Sequence, residues 1–340
     1  MTDLLVAGGG PAGLSTAMYA ARAGLSVIIR EPRPGVIDKA CGEGLMPGAL
    51  AALAELNVDP EGHRMTGIRY VAGRRCVEAP FRHGPGRGVR RTVLHAAMRQ
   101  AVVDAGVTIE QRPVVDVRQD PRGVTVDGTR VGHLVAADGL HSALRRRLGL
   151  ARPPSRFRRF GLRRHYAMAP WTSYVEVHWS DAAEAYVTPV ASDLVGVAVL
   201  TATRGPFDEH IRRFPGLCER LADARSVGDV MGAGPLRQRA RAQVSGRALL
   251  VGDSAGYVDA LTGEGIALAM RQARAAVDAI VAGHPERYEQ EWRALSRRYR
   301  VMTSSLVGAT RLAPVRHLIV PVAERLPAVF ATAVHTLARP

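Results

Sequence analysis

The chain opens with a short apolar run, a glycine-rich turn, an alanine-rich stretch and a second apolar run. The first run covers residues 3–7 and the turn covers residues 8–13. The alanine-rich stretch has helix-forming composition and ends at Gly24, and the second run, at residues 26–30, is rich in β-branched residues. This order predicts a strand, a tight turn, a helix and a second strand.

The next part of the chain combines short strand patterns with one amphipathic helix. In residues 91–105, Leu94, Met98 and Val102 recur at helical spacing and form one apolar stripe. Extended or strand patterns occur at residues 66–82, 107–110, 114–118, 124–126 and 133–137, and a short helical pattern at 142–148. We therefore expect this region to continue an α/β fold.

Between residues 157 and 200 apolar and polar residues alternate over longer runs. Strands are predicted at residues 160–168, 174–179, 185–190 and 195–200. Because consecutive runs with period two are typical of antiparallel sheets, this segment predicts a separate antiparallel sheet.

The α/β pattern then returns, after two short helical patterns. A strand is predicted at residues 247–251, followed by a glycine-rich turn and helices at 265–281 and 286–299. From residue 303 onwards, apolar residues are interrupted by Pro314, Pro321 and Pro327, which predicts short helices.

These patterns predict a discontinuous domain organisation. Residues 1–65, 91–150 and 245–300 are expected to form one α/β domain, because the α/β patterns lie at both ends of the chain. Residues 66–90 and 151–244 are expected to form an inserted substrate-binding β-sheet domain, and residues 301–340 a C-terminal helical cap. The expected fold class is α/β, with a three-layer Rossmann-like domain that starts with a βαβ unit.

The first turn has the spacing of a dinucleotide-binding motif. Gly8 permits the tight turn, Gly10 lets the backbone approach a pyrophosphate, and Gly13 lets helix and strand pack closely. The N-terminus of the helix supplies free N–H groups for the phosphates. Glu31 ends the second strand roughly 20 residues further on, where its carboxylate can accept hydrogen bonds from ribose. The turn therefore predicts a dinucleotide site.

Charge and cysteine content narrow the function classes. Lys+Arg 46 against Asp+Glu 31 gives a formal net charge of +15, but the arginines are spread along the chain and no aromatic residues accompany them. We therefore expect no nucleic-acid partner and a solvated arginine-rich surface, including the run at residues 145–147. The three cysteines form no metal-ligating set with histidine, so no metal is expected. No uncharged apolar run reaches the ~18 residues that span a bilayer, and a cytoplasmic location is expected.

Three separated signatures together resemble those of one flavoprotein superfamily. They are the first glycine motif with Glu31, the Asp138-Gly139 pair after a strand, and Gly252-Asp253-Ser254-Ala255-Gly256 running into Gly263-Glu264-Gly265-Ile266. The pattern is similar to that of the aromatic hydroxylase (group A flavin monooxygenase) and geranylgeranyl reductase superfamily. The resemblance implies a glutathione-reductase-type FAD-binding domain and FAD as the cofactor.

The resemblance also implies which residues bind FAD. Asp253 corresponds to the aspartate that accepts a hydrogen bond from the ribityl chain, and the helix N-terminus after it faces the pyrimidine end of the flavin. The cofactor-binding residues implied in this way are Gly8, Gly10, Ala12, Gly13, Glu31, Cys41, Gly42, Gly44, Arg91, Val115, Asp138, Asp253, Gly263, Gly265 and Ile266. Val115, in a strand near the adenine, is expected to contribute only backbone. One position departs from the hydroxylases: Ala260 stands where they usually carry a proline beside the flavin.

The loop Asp38-Lys39-Ala40-Cys41-Gly42-Glu43-Gly44 holds the only lysine of the chain. It is similar to a Cys-Gly-x-Gly loop that lies along the flavin in the geranylgeranyl reductase branch. Cys41 is therefore a candidate catalytic thiol, a flavin neighbour or an inert apolar side chain. Lys39 is either a surface charge or a compact ammonium required at the site.

Two reactions fit these signatures. The first is an NAD(P)H-dependent monooxygenase that hydroxylates or epoxidises an apolar or aromatic small molecule through a flavin hydroperoxide. The second is a reductase of carbon–carbon double bonds in an isoprenoid or lipid. The sequence favours the monooxygenase by a narrow margin, although the loop at Cys41 favours the reductase. A third, non-enzymatic class is a flavin-dependent binding or sensing protein.

The inserted sheet and the last helices add weaker candidates. His165 and His178 lie on strand faces that also carry Arg163 and Glu176, and both histidines are candidates to deprotonate a phenol if those faces meet the flavin. A solvated polar face is the alternative. The C-terminal helices are expected either to cap the body or to touch a membrane surface. The sequence leaves the oligomeric state open.

Overall fold

The computed structural model describes residues 2–338. The strands are β1 Thr2–Ala7, β2 Val27–Arg30, β3 Gly44–Leu45, β4 His63–Met65, β5 Gly67–Ala72, β6 Arg75–Pro80, β7 Gly86–Gly88, β8 Thr108–Glu110, β9 Val117–Asp120, β10 Gly123–Val126, β11 Thr129–Ala136, β12 Phe160–Ala167, β13 Tyr174–Trp179, β14 Ala183–Ala191, β15 Leu194–Thr201, β16 Arg225–Ala233, β17 Val244–Ser245 and β18 Ala248–Leu250. The α-helices are α1 Pro11–Arg22, α2 Pro47–Glu55, α3 Arg91–Asp104, α4 Ala143–Arg147, α5 Phe207–Ile211, α6 Pro215–Leu221, α7 Gly265–Val281, α8 Tyr288–Ala309, α9 Ala313–Arg325 and α10 Pro327–Ala338.

The first sheet has a parallel centre, as the opening pattern predicts. Its strand order is β17-β18-β11-β1-β2-β8, and β1 pairs in parallel with both β2 and β11. Leu4, Leu5 and Val6 of β1 are completely buried, because a parallel strand at the centre of such a sheet is covered on both faces. Helix α1 packs against both α3 and α7 beside this sheet. Strands β9 and β10 extend the sheet from β11 in antiparallel pairs.

The second sheet has the order β16-β12-β15-β14-β13-β5-β6. Four of its strands occur where alternation predicts them, but two features differ from the expected antiparallel sheet. Strand β5 pairs in parallel with β13, because residues 67–72 reach the sheet edge from a different part of the chain. Strand β16 was missed, since its sequence RSVGDVMGA is polar and carries glycines at an edge.

A small third sheet has the order β3-β7-β4 and was not predicted. Its strands are two or three residues long, which is too short for a periodic pattern. Gly88 pairs with Gly44 of β3 and with His63 of β4. The sheet therefore joins residues 44–65 to residues 86–88, which the predicted boundaries assign to different domains.

The C-terminal helices pack on the second sheet. Helix α8 extends ten residues beyond the predicted end at residue 299, and α9 and α10 follow it. Val320, Phe330 and Val334 are buried in one apolar cluster with Ile68 and Val77 of β5 and β6. Residues 339 and 340 of the predicted cap lie outside the described residues. Within residues 2–338 no single helix is long and apolar enough to cross a membrane, and only the bent pair 285–309 and 314–325 passes that test when its members are taken together.

Candidate functional site

A cavity of about 1000 Å³ lies between the two large sheets and reaches the last helices. One end is lined by the three glycine signatures and by the loop around Cys41. The other end is lined by apolar and aromatic side chains, among them Met65, Ile68, Tyr70, Phe81, Leu162, Val175, Val177, Tyr186, Leu200, Leu236, Tyr257, Leu306, Val334 and Leu337. A single cavity thus joins a backbone-rich end to an apolar end.

The first glycine turn has the geometry that its spacing predicts. Gly8 has φ +111°, and a β-carbon there would overlap the backbone of Ala137. A β-carbon on Gly13 would overlap the carbonyl oxygen of Gly8, so helix α1 can approach the turn only with glycine at this position. Gly10 precedes α1 and lines the cavity. Apart from its chain neighbours, no atom lies within 4 Å of the position that a β-carbon on Gly10 would take. The free N–H groups of α1 therefore face room for a phosphate.

A histidine that the sequence analysis missed holds this turn. His95 Nε2 lies 2.8 Å from the carbonyl oxygen of Gly9, and Nδ1 accepts from the backbone N–H of Ile37 at 3.2 Å. Because Nδ1 accepts, Nε2 carries the proton and donates to Gly9. Burial lowers the pKa of His95, so the neutral ring persists. His95 lies on the buried stripe of α3, where a histidine gives no sequence signal of its own.

Glu31 lines the cavity at the position expected for ribose recognition. Its Oε2 accepts from the N–H of Gly9 at 2.8 Å, and Arg33 Nε lies 2.8 Å from Oε1. Burial would raise the pKa of Glu31, but the hydrogen bonds from Arg33 and Gly9 outweigh it and the pKa is lowered. The carboxylate is therefore ionised and able to accept hydroxyl hydrogen bonds. Arg33 occupies part of its acceptor capacity.

The late glycine-aspartate pair packs directly on the first motif. Gly252 has φ +69°, and a β-carbon there would lie 2.8 Å from the Ala12 side chain. Asp253 follows and lines the cavity. The ammonium of Lys39 lies 3.7 Å from Asp253 Oδ2, in a pair of which both side chains are about one third exposed. The only lysine of the chain therefore reaches the aspartate assigned to the ribityl chain.

Arg145 holds the backbone of this second turn. Its guanidinium donates to the carbonyl oxygens of Ser254 at 2.9 Å, Asp253 at 3.2 Å and Leu140 at 3.0 Å, and to Gln238 Oε1 at 3.0 Å. The residue is 2% exposed, and burial lowers its pKa. The expectation that the run 145–147 is solvated is therefore wrong for Arg145. Helix α4 turns this one arginine inward, whereas Arg146 and Arg147 are not buried.

Other predicted cofactor residues also line the cavity. Asp138 accepts from the N–H of Leu144 through Oδ2, while its buried Oδ1 has no partner among the described residues. The buried Nε of Arg91 likewise has no partner there. Gly263, Gly265 and Ile266 line the cavity at the start of α7. These unpaired groups and the open glycine turn fit a bound dinucleotide that accepts and donates hydrogen bonds.

Val115 is placed differently from the prediction. Strand β9 begins at Val117, so Val115 lies in a loop, is 53% exposed and donates its N–H to the carboxylate of Asp127. Val114 and Pro113 line the cavity instead. The cavity wall is therefore formed one residue before the predicted position, because the strand starts later than the apolar run.

The loop around Cys41 rests on a buried ionic network. Cys41, Gly42, Glu43 and Gly44 all line the cavity. Glu43 has φ +59°, is 2% exposed and accepts from the N–H of Arg91 at 2.8 Å. No sequence pattern distinguishes Glu43, since a glutamate between glycines usually lies in solvent.

His165 of β12 also belongs to this network. Its Nε2 lies 2.6 Å from Glu43 Oε2, and its Nδ1 lies 3.1 Å from the guanidinium of Arg163, which also pairs with Asp38. Because Arg163 can only donate, Nδ1 accepts and Nε2 donates to Glu43. His165 is 1% exposed and does not line the cavity. The structure therefore places His165 behind the loop around Cys41 and outside the cavity wall.

His178 lies outside the cavity lining as well. Its Nε2 is 2.9 Å from Glu176 Oε2, and the other oxygen of Glu176 pairs with Arg69 at 2.8 Å. The hydrogen bonds and charges of His178, Arg69 and Trp171 outweigh burial and lower the pKa of Glu176 to about 2. His178 is therefore held on the sheet by its hydrogen bond to Glu176.

A second buried ionic network borders the apolar end of the cavity. Arg159 contacts Glu184 at 2.5 Å and Asp259 at 3.3 Å, and Arg316 of α9 contacts Glu184 at 3.3 Å. Burial raises the pKa of Asp259 to about 6, against the opposing charge of Arg159. Asp259 adjoins Ala260, the position that departs from the hydroxylases and that lines the cavity. The network thus connects the last helices to the segment after Asp253.

Comparisons with known proteins show the family of the chain. A family model described as FAD binding domain matches residues 1–287. The menaquinone reductase of Mycolicibacterium smegmatis is 31% identical over 329 residues, covering 86% of this chain and 80% of the relative. Digeranylgeranylglycerophospholipid reductase 2 of Methanosphaera stadtmanae is 27% identical over 296 residues, covering 78% and 74%. The aurachin C monooxygenase/isomerase of Stigmatella aurantiaca is 26% identical over 347 residues, covering 88% and 84%.

The fold has a solved counterpart. The structure of the myxobacterial chondrochloren halogenase CndH superposes with a TM-score of 0.80 at 20% identity and covers 100% of this chain and 91% of that chain. At this identity the likeness concerns the fold alone, and it confirms the predicted fold class. With the family match over most of the chain, the site and the relatives lead to one assignment. The chain belongs to the FAD binding domain family, in the aromatic hydroxylase and geranylgeranyl reductase superfamily of FAD-dependent oxidoreductases.

Proposed function

We propose that the protein is an FAD-dependent reductase that saturates a carbon–carbon double bond in the isoprenoid chain of a lipid or quinone. The observation that carries this proposal is the apolar continuation of the cavity from the glycine signatures to Leu306, Val334 and Leu337 of the last helices. A long apolar channel suits a flexible hydrocarbon chain better than a compact aromatic ring. Reductases of prenylated substrates among the relatives support the same substrate class.

The chain's own residues position the reactants in this proposal. FAD, once bound and reduced by NAD(P)H, would supply the hydride for one carbon of the double bond and would return to its oxidised form. The glycine turns and Glu31 would hold the dinucleotide, and Asp253 would accept a hydrogen bond from it. The apolar side chains at the other end bind the isoprenoid and exclude water from the reacting carbons.

The second carbon of the double bond needs a proton, and two side chains are placed to hold one. Cys41 carries a thiol on the cavity wall, beside the glycines of its loop. Tyr257 lines the same cavity, and burial raises its pKa well above the ordinary value, so its phenol keeps its proton. We propose that one of these groups protonates the carbon that does not receive hydride. Cys41→Ser and Tyr257→Phe are the variants that distinguish them.

The sequence favoured a monooxygenase, and this preference stays a prediction. The monooxygenase among the relatives favours it as the second candidate. For either reaction we propose NAD(P)H as the external reductant and, for the monooxygenase, an apolar or aromatic small molecule as substrate. The two reactions differ in whether dioxygen is consumed.

Product mass separates the two candidates. The FAD-saturated protein is incubated with NADPH and a geranylgeranylated lipid or menaquinone, once under argon and once under air. The reductase proposal expects a gain of two hydrogens in both gases. A gain of one oxygen that occurs only under air would overturn it in favour of the monooxygenase, and unchanged substrates would overturn the proposed substrate class.

The last helices suggest how an isoprenoid lipid reaches the cavity. Leu312, Leu318, Val322, Leu326 and Val329 are each between 47% and 63% exposed, and Arg311 and Arg325 lie among them. We propose that this surface rests on an anionic membrane on the cytoplasmic side. The native protein is expected to sediment with anionic vesicles and Leu318→Glu/Val322→Glu to stay in solution; equal sedimentation of both would refute the contact.

A further inference from the structure

A second cavity of about 410 Å³ lies on the other side of the segment that carries Asp253. Its walls are the loop 237–243, the turn 255–258 and one face each of α7 and α8. Ala255, Gly256 and Val258 face this cavity, whereas Asp253 and Ala260 line the first one. Tyr257 lines both. The two cavities therefore share one wall.

The lining of the second cavity is strongly cationic. It contains six arginines, namely Arg152, Arg237, Arg239, Arg241, Arg293 and Arg300, against one acidic residue, Glu289. Glu289 is already occupied, because Oε1 accepts from Arg293 at 2.9 Å and Oε2 from the N–H of Gln243 at 2.6 Å. Among residues 2–338, the other five arginines have no carboxylate within ion-pair distance. Uncompensated positive charge is thus concentrated around a single concave space.

The cavity also offers neutral hydrogen-bonding groups. Arg300 stacks on Trp292, with its guanidinium carbon 5.2 Å from the ring centroid, which holds the charge at the cavity wall. Trp292 Nε1 and Ser296 Oγ have no hydrogen-bond partner among the described residues, although both residues line the cavity. Gln243 and Gln272 line it too. Planar guanidinium groups with several donors match phosphate oxygens in pairs.

We infer that the second cavity binds the diphosphate group of an organic ligand. A concave site of this volume lies within the range of small-ligand pockets, and five arginines without carboxylate partners exceed what one phosphate needs. The shared chemistry has two sources, a pyridine nucleotide and an isoprenoid diphosphate. The inference does not depend on the proposed reaction, because it concerns a different cavity.

The shared wall gives the site a consequence for the flavin. Arg145 donates to the carbonyls of Asp253 and Ser254 on the flavin side and to Gln238, which lines the second cavity. A diphosphate bound among the arginines therefore contacts the segment that positions Asp253. We expect its binding to shift the visible absorption of bound flavin.

The test uses the FAD-saturated holoprotein, so that the glycine turn is already occupied. Inorganic pyrophosphate is titrated calorimetrically into the native protein, into Arg237→Met/Arg300→Met, and into Arg225→Met/Arg297→Met. The control pair lowers the net charge equally, and its two arginines are exposed and lie outside the cavity. We expect the first variant to weaken binding at least tenfold and the control to change it less than twofold. Equal weakening in both variants, or no binding at millimolar pyrophosphate, would overturn the inference.

Competition then identifies the source of the diphosphate. Displacement of pyrophosphate by NADPH or NADH supports a nucleotide site, and displacement by geranylgeranyl diphosphate supports an isoprenoid site. Displacement by neither, with the arginine dependence intact, supports a site for free diphosphate and overturns the organic ligand. The flavin absorption shift is measured in the same titrations and is expected to disappear in Arg237→Met/Arg300→Met.

Discussion

The two cavities on either side of residues 253–262 are built on opposite principles. The flavin cavity is shaped by backbone: glycines at fixed spacing bring Gly8, Gly13 and Gly252 so close to their neighbours that a β-carbon would collide. The second cavity is shaped by long charged side chains from α8 and from loops distant in sequence. A backbone-built site tolerates almost no change at its glycines, whereas a side-chain-built site loses affinity in steps.

The wall between the cavities combines both principles. Its backbone turns follow the glycine signature, but it is held from outside by Arg145 and by the network of Arg159, Glu184 and Asp259. Disturbing the glycines should therefore abolish FAD binding outright, disturbing the supports should weaken it, and disturbing a surface pair should change it little.

The largest effect is expected from Gly13→Ala. The new β-carbon would overlap the carbonyl oxygen of Gly8 and lie 3.3 Å from Val6 Cγ1, so α1 must move away from the turn. We expect purified Gly13→Ala to retain no FAD and to lose about 1–3 kcal/mol of unfolding free energy. Flavin absorbance per protein and denaturant titration measure the two effects.

The matched control is Gly216→Ala in α6, where nothing lies within 4 Å of the added carbon. It should keep full FAD content and lose no stability, since alanine favours a helix. A Gly13→Ala protein that is as yellow as the native one would contradict the packing described for the first turn.

The second largest effect on FAD binding is expected from Arg145→Met. This change removes the donor from the buried carbonyl oxygens of Ser254 and Leu140 and from Gln238 Oε1, and each unsatisfied buried group costs about 1–3 kcal/mol. The carbonyl oxygen of Asp253 still accepts from the N–H of Gly256. We expect the Kd for FAD to rise at least tenfold, together with a lower melting temperature. Arg146→Met is the control, because Arg146 is exposed and its side chain donates, within residues 2–338, only to the carbonyl of His141. Reduced stability with an unchanged Kd would show that Arg145 supports the fold but not the flavin turn.

The glycine turns could be predicted from the sequence, whereas the buried polar side chains that hold those turns could not. The strand, turn and helix of the first motif were predicted because each glycine has a distinct backbone task at a fixed spacing. Helix α7 and strand β13 were predicted to the residue, since each has a clear periodic pattern. FAD was expected from the resemblance of three glycine signatures to a flavoprotein superfamily, and the family match confirms an FAD-binding domain.

The side chains that hold the turns could not be predicted, because their contacts form only in the folded chain. Arg145 is one of three consecutive arginines, and only the orientation of α4 distinguishes it. His95 looks like any histidine on a helix, and Glu43 like a loop acid, until the fold brings Gly9 and His165 to them. The arginines of the second cavity form no recognisable sequence motif, because arginines occur throughout this chain. Side chains that act across long sequence separations leave no local pattern.

A smaller effect on stability is expected from pH, through Asp259 in the wall between the two cavities. Burial raises the pKa of Asp259 from 3.8 to about 6, so the folded protein holds this proton more tightly than the unfolded chain. Stability should therefore fall as pH rises from about 4 to about 6, by about 2 kcal/mol from this group. Asp259→Asn should remove this part of the decline in unfolding free energy. The control Asp278→Asn should retain it, because Asp278 lies at an exposed position of α7. Unfolding free energies measured across this pH range that fall equally in all three proteins would contradict the assignment.

The smallest effect is expected at Lys39. Its ammonium is 3.7 Å from Asp253 and partly exposed, and such pairs contribute about 1 kcal/mol or less. Lys39→Met should therefore raise the Kd for FAD by no more than about fivefold, and Lys39→Arg by less, since a guanidinium keeps the charge. Both constants are measured by titrating the apoprotein with FAD at low and high salt, where screening should reduce the difference. A loss above tenfold in Lys39→Arg would instead mean that the site requires a compact ammonium, and that this edge of the flavin cavity depends on a side chain as strictly as the turn depends on glycine.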